Sequence, residues 1–193
     1  MSLDKNYWNE RYLQQETGWD LKQASPPLVA YINQLNDKSI SILIPGCGNA
    51  HEAEYLLQQG FTNITLIDIA PTLVEQLQQK FKNNPNIQVI CADFFEHQNQ
   101  YDLILEQTLF CAINPQLREK YVQQAQQLLK PKGKLVGVLF NTVFEKEGPP
   151  FGGNMQEYTN LFQPYFQIKT LEPCHNSFVK RAGTEVFINF QKA

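Results

Sequence analysis

The chain has 193 residues, 42% of them hydrophobic, 12% aromatic and 18% charged. That length fits one domain with a full core, and that apolar fraction is too high for a disordered chain. Sixteen Lys and Arg against nineteen Asp and Glu leave a formal net charge of −3, and no dense basic run offers a track for nucleic acid or an anionic membrane.

The first residues lack the basic, apolar and small-residue succession of a secretory signal. No apolar run approaches the roughly 20 residues of a membrane span. Cys47, Cys91, Cys111 and Cys174 form no C-x-x-C pair, and His51, His97 and His175 have no metal-ligand spacing. Neither a disulfide framework nor a metal site is expected. Free thiols suit a reducing, cytoplasmic compartment. The expectation is one domain over residues 1–193, a monomer that acts on a small molecule and binds neither nucleic acid nor membrane.

Short β-branched runs alternate with amphipathic stretches. Residues 40–44 read as a buried strand that ends at Pro45-Gly46. Residues 50–59 carry Ala53, Leu56 and Leu57 at helical spacing and stop at Gly60. Residues 62–69 form a second strand closed by Asp68, and Pro71 starts a helix that buries Leu73, Val74, Leu77 and Phe81. Residues 86–91 and 101–106 are strands three and four. Pro115 opens a helix that runs through Leu128-Leu129 and ends at Pro131-Lys132-Gly133, followed by a strand over 134–140. A short helix over 155–162 precedes strands over 165–171 and 184–190.

Such alternation implies an α/β fold: one doubly wound, mostly parallel seven-stranded sheet with helices on both faces. The last two strands are too close for a crossover helix and should form an antiparallel hairpin at one end. Ligands of such sheets lie beyond the carboxyl ends of the strands, where strand order reverses. That rule selects residues 45–50, Asp68, Asp93-Phe94 and residues 106–113.

The first strand ends in Gly46-Cys47-Gly48, where alternate glycines let the backbone approach a ligand closely. A dinucleotide fingerprint needs a third glycine three residues later, and His51 stands there instead. Asp68 can accept both hydroxyl protons of a ribose, and Asp93-Phe94 can receive an adenine amino group beside an apolar wall. Ahead of the first strand, Trp8 and Tyr12 share one helical face and Trp19 follows. Aromatic faces attract a sulfonium as they attract ammonium.

Several blocks together resemble the thiopurine S-methyltransferase family. They are Trp8-Asn9-Glu10-Arg11-Tyr12, Thr17-Gly18-Trp19-Asp20, Ile44-Pro45-Gly46-Cys47-Gly48, Phe110-Cys111-Ala112-Ile113-Asn114-Pro115 with Arg118, and Gly148-Pro149-Pro150-Phe151. The chain looks closest to the halide/thiol branch. Tyr12 stands where the family usually has Trp, Glu106 where Asp is usual, and Gln107 where that branch often has Tyr.

The resemblance implies a Rossmann-like class I fold and S-adenosyl-L-methionine as methyl donor to a soft nucleophile: a thiol, thiopurine, halide or thiocyanate. It implies Trp8, Tyr12, Trp19, Gly46, Gly48, Asp68, Ile69, Asp93, Phe94 and Glu106 as cofactor residues. Arg118 would stand at the substrate end and favour the thiolate. No acid–base residue is expected to be essential. Residues 1–35 read as an N-terminal lid, which with the loop over 141–153 closes the pocket. The alternatives are a catalytically lapsed binding module that keeps the cofactor site and, against His51, an NAD-dependent oxidoreductase.

Overall fold

The computed structural model describes residues 2–192; Met1 and Ala193, which the one-domain expectation includes, lie outside the described residues. In chain order come helices Lys5–Leu13 (α1) and Pro26–Ile32 (α2), strand Ile42–Pro45 (β1), helix His51–Gln58 (α3), strand Ile64–Asp68 (β2) and helix Pro71–Lys80 (α4). Strands Ile87–Cys91 (β3) and Tyr101–Gln107 (β4), helix Arg118–Gln127 (α5) and strand Leu129–Phe140 (β5) follow. Helix Met155–Phe162 (α6) and strands Phe166–Pro173 (β6) and Glu185–Lys192 (β7) complete the chain.

The strands form one seven-stranded sheet in the order β3-β2-β1-β4-β5-β7-β6. The first five are parallel, and β7 runs antiparallel to both β5 and β6. The expected α/β architecture with its C-terminal hairpin is therefore the observed one. Every residue of β1 and β2 is buried, as a strand covered on both faces requires.

Alternation along the strands divides the core into two layers. Leu43, Ile104 and Leu135 face α5 and α6 through Tyr121, Val122, Ala125, Tyr158 and Phe162. Ile42, Ile44, Leu103, Leu105 and Val136 face the layer of α2, α3 and α4 through Leu28, Ala53, Leu56, Leu73 and Leu77. Each such side chain contributes roughly 1.5–3 kcal/mol when removed from water. A one-residue slip of a central strand would exchange the two layers, so packing fixes the register.

One expectation is corrected. The helix expected to run through Leu129 to Gly133 stops at Gln127, and Leu129 already pairs with Tyr101 at the start of β5. Pro131 can sit there because the β4–β5 register shifts between Tyr101 and Leu103, and Lys132 adopts a φ of 65°. A bulge tolerates the missing amide of proline, which a regular ladder would not.

α1 is unlike the other helices: none of its residues is buried, and it packs on α4. α4 begins after Ala70, whose side chain cannot cap it. The Asn9 side chain supplies the missing acceptor: its Oδ1 receives the Thr72 amide at 2.9 Å.

Gly137 in β5 lies against β4. A Cβ there would come 2.2 Å from the Glu106 carbonyl oxygen and 2.5 Å from Glu106 Cβ. Gly137→Ala should therefore force the two central strands apart and destabilise the protein by about 3 kcal/mol. Urea denaturation of the variant beside the wild type measures this as a fall in midpoint.

Candidate active site

Between β1 and β4 the strand order reverses, and a cavity of about 980 Å³ opens there beyond the carboxyl ends of the strands. Sheet order arranges its floor: Asp93 follows β3, Asp68 ends β2, Gly46 follows β1, Thr108 follows β4 and Phe140 ends β5. At about 4.8 Å per strand, this floor runs roughly 19 Å. One end carries carboxylates. The other carries Phe140, Cys111, Pro149, Pro150 and Arg181.

The turn after β1 owes its course to left-handed backbone, with φ of 57° at Gly46, 51° at Gly48 and 61° at Ala50. A Cβ on Gly46 would sit 3.1 Å from Leu109 Cδ1, so a side chain there would push into the cleft wall. The turn directs the Gly48 amide at Asp68 Oδ2, 3.3 Å away, while the Ala70 amide donates to Oδ1 at 3.0 Å. Asp68 is only 7% exposed, and no cation pairs with it among the described residues. Burial raises its pKa, and those backbone amides pull in the opposite direction. Each carboxylate oxygen has two acceptor sites, so one on each remains for a ligand.

Ile69, Ala92, Asp93 and Phe94 continue this end of the wall. The Asp93 carboxylate accepts the Phe95 amide at 2.9 Å. Phe94 also stacks on Tyr121 at 5.0 Å, which fixes its ring from behind. On the outer side, Trp8 and Tyr12 of α1 face Trp19, whose ring meets theirs edge-on at 5.6 and 5.7 Å. All three rings line the cavity. Burial, then the Asp68 carboxylate, pushes the Tyr12 phenol above its ordinary range, so it stays neutral.

Three residues expected at the site stand off its wall. Gly48 touches it only through the amide on Asp68. Glu106 is fully buried, its carboxylate accepting from the Tyr121 hydroxyl at 2.5 Å and the Phe110 amide at 3.0 Å. Arg118, expected at the substrate end, is a correction. Its guanidinium bonds Glu157 Oε1 at 2.5 Å and the Gly152 carbonyl at 2.7 Å, and lies 4.7 Å from the centre of the Phe110 ring. It ties α5 to α6 and to the loop over 141–153, because a guanidinium buried to 5% exposure must be paired where it sits.

Lys5 and Arg11 of α1 line the cavity, Arg11 paired with Glu16, and so does Arg181, which the motif reading missed. Its guanidinium stands 5.4 Å from the Phe140 ring centre, donates to the Trp19 carbonyl at 2.8 Å and approaches Glu185 at 3.4 Å. It comes from the short turn Val179–Arg181 between β6 and β7. No sequence signal ties this hairpin turn to the cleft; only the antiparallel return of β7 beside β5 brings it there. Thr108, Leu109 and Cys111 also line the wall. Burial pushes the Cys111 thiol up to about 12, so it is no nucleophile at neutral pH.

The model of the family described as thiopurine S-methyltransferase matches residues 3–191. The chain belongs to that family. A thiopurine S-methyltransferase of Acinetobacter baylyi is 31% identical over 195 residues, covering 88% of each chain. A probable thiol methyltransferase of Arabidopsis thaliana is 29% identical over 162 residues, covering 81% of this chain and 71% of the relative. The crystal structure of 1,6-didemethyltoxoflavin-N1-methyltransferase from Burkholderia thailandensis, with 1,6-didemethyltoxoflavin and S-adenosylhomocysteine bound, superposes with a TM-score of 0.78 at 17% identity. It covers 98% of this chain and 87% of that one. The fold is thus that of S-adenosylmethionine-dependent methyltransferases, and the protein is one of them, methylating small nucleophiles.

The residues present fit S-adenosylmethionine. Asp68, buried with unfilled acceptor sites, would hold a vicinal diol. Ile69, Ala92 and Phe94 would flank a purine, and the three outer rings would face a sulfonium. When bound, the cofactor supplies a methyl group activated by its positive sulfur.

Glu106 connects core to cleft, since its carboxylate fixes the Phe110 amide next to Cys111. Burial raises its carboxyl to about 7, against the pull of Tyr121, Phe110 and Leu109. Between an unfolded value near 4.5 and about 7, the folded chain holds a proton that the unfolded chain has lost. Stability is therefore full below about pH 4.5, falls as pH rises and levels off above about 7. This contribution is on the order of 3 kcal/mol. Urea denaturation from pH 4.5 to 8 should show that decline in the wild type, and Glu106→Gln should lack it.

Proposed function

We propose that this methyltransferase holds S-adenosylmethionine over β1 to β3 and methylates a thiolate or comparably soft anion over β4 and β5, beside Arg181. Asp68 carries the reading. A carboxylate with so little exposure and no cation costs folding energy, and a ligand that donates two hydroxyl hydrogens to it offsets that cost. The relatives' names, thiopurine, thiol and thiocyanate methyltransferases, support a soft acceptor.

Transfer from a sulfonium is an in-line displacement. The chain must hold the attacking atom behind the methyl and exclude water. The apolar wall of Phe140, Leu109 and Cys111 suits a polarisable sulfur. The Arg181 charge, partly offset by Glu185, favours the ionised form of a bound thiol. Arg181 and the apolar wall would hold the ionised thiol, its proton released to solvent, in line with the methyl group that the bound cofactor would supply. No general base is assigned: His97 bonds Tyr101 at 2.8 Å and lies off the wall.

The N-terminal 35 residues act in this reading as the cap of one domain, with the loop over 141–153 as the second flap. In this reading the protein is a monomer of the reducing cytoplasm without nucleic acid or membrane partners, for which a net charge of −3 offers no basic track. Among the described residues no helix is long and apolar enough to cross a membrane.

Calorimetry with S-adenosylhomocysteine tests the cofactor half. Asp68→Ala should weaken binding on the order of tenfold to a hundredfold, the range for hydrogen bonds to a charged group. Asp68→Asn should lose affinity while the ligand-free protein melts no lower than wild type. Unchanged affinity in both variants would refute the reading. A labelled-methyl assay across thiols, thiopurines, thiocyanate and halides tests the acceptor half, with turnover expected for at least one acidic thiol. Tight cofactor binding with no turnover on any acceptor would leave a binding module.

A further inference from the structure

His51 stands where a dinucleotide loop would have glycine, and the methyl-transfer reading gives it no task. It is the first residue of α3, and its Nε2 lies 2.8 Å from Asp20 Oδ1. Asn49, two residues earlier in the glycine turn, directs Nδ2 at Asp20 Oδ2 at 2.5 Å. The Lys22 amide and ammonium reach the same carboxylate at 2.8 and 2.9 Å. The Asp20 side chain is 3% exposed. Burial alone would raise its pKa, but the bonds from Lys22, His51 and Asn49 outweigh that and hold it well below the usual carboxylate range.

Asp20 directly follows Trp19, the ring that closes against Trp8 and Tyr12 over the cleft. A second bond holds the same residue, from Arg181 to the Trp19 carbonyl. Further along, the Ser25 amide donates at 2.9 Å to Glu52, a buried side chain on the next residue of α3. The capping segment is therefore fastened to the glycine turn and to the start of α3, the stretch that shapes the cofactor end. The remaining charges around His51 are Glu54, 3.8 Å from Nδ1, and Lys80, 3.0 Å from Glu54.

We propose that His51 and Asn49 form a latch with Asp20 that sets Trp19 over the cofactor, making all three positioning residues for cofactor retention. Neither His51 nor Asn49 touches the reacting atoms. The latch rests on the reading that the cofactor occupies this cleft. A glycine at position 51 would leave Asp20 buried with one donor fewer, and Trp19 would lose its fixed orientation.

The chain has two tryptophans, Trp8 and Trp19, and both line the cavity, so tryptophan emission reports on the cap alone. His51→Ala, which removes one bond to the Asp20 carboxylate, should raise the S-adenosylhomocysteine Kd and the S-adenosylmethionine KM about tenfold, and Asp20→Ala, which removes them all, should raise both by at least as much. Their kcat at saturating cofactor should stay within about twofold, and their ligand-free emission should shift to the red. His51→Gln, whose amide can still donate, should bind within about threefold of wild type with unshifted emission. The double variant should bind no more weakly than Asp20→Ala, because the two side chains share one interaction.

Unchanged Kd in both alanine variants, or multiplied losses in the double variant, would overturn the latch. So would a kcat that falls as steeply as KM rises, which would put His51 in the chemistry. If His51→Ala does not fold, His51→Gln decides: a loss greater than tenfold overturns the proposal, and retained affinity supports it. A wild type that gives no heat with S-adenosylhomocysteine would instead sink the cleft reading on which the latch rests.

Discussion

The cleft depends on one carboxylate. Asp68 is buried at the end of a strand covered on both faces, and two backbone amides rather than a cation hold it. One amide comes from left-handed backbone at Gly48 in the loop after β1, the other from extended backbone at Ala70 just before α4. The sequence features around it, glycines at 46 and 48 and a proline at 71, keep the chain out of the way of that carboxylate while aiming amides at it. A lysine in reach would stabilise the fold and fill the acceptor sites. Leaving them open costs stability, and the proposed hold on a ligand's hydroxyl groups rests on that cost.

The rest of the site follows from sheet order. Each strand end adds one group along a line, so the sequence order of Gly46, Asp68 and Asp93 becomes a spatial order on one side of the reversal. Thr108 and Phe140 continue it on the other side. A cofactor and an acceptor can then lie end to end over five parallel strands. The antiparallel return of β7 beside β5 adds a cation at the far end without any crossover helix.

That line explains what could be read from the sequence. The strands and the ends of β1, β2 and β3 were legible because buried parallel strands are short β-branched runs and their ligand-facing ends are polar or glycine. Trp8, Tyr12 and Trp19 stood out because aromatics ahead of the first strand have no strand to pack into. Arg118 misled, since a basic residue in a family-like block says nothing of which way it points. In the fold it is claimed by Glu157 and Gly152. Arg181 was illegible because its place depends on strand pairing 40 or more residues away, and Leu129 to Gly133 because a register shift, not a local preference, makes a strand of a proline-containing stretch.

The Asn9 contact with Thr72 couples α1 energetically to the start of α4. Without the Asn9 side chain the start of α4 would be left with a bare amide, at about 1 kcal/mol for a lost helix cap. That energy corresponds to roughly a fivefold preference for the docked position of α1. A helix with no buried residue of its own, which carries Trp8 and Tyr12 at the cleft, is thereby tied to the sheet through the first turn of its neighbour.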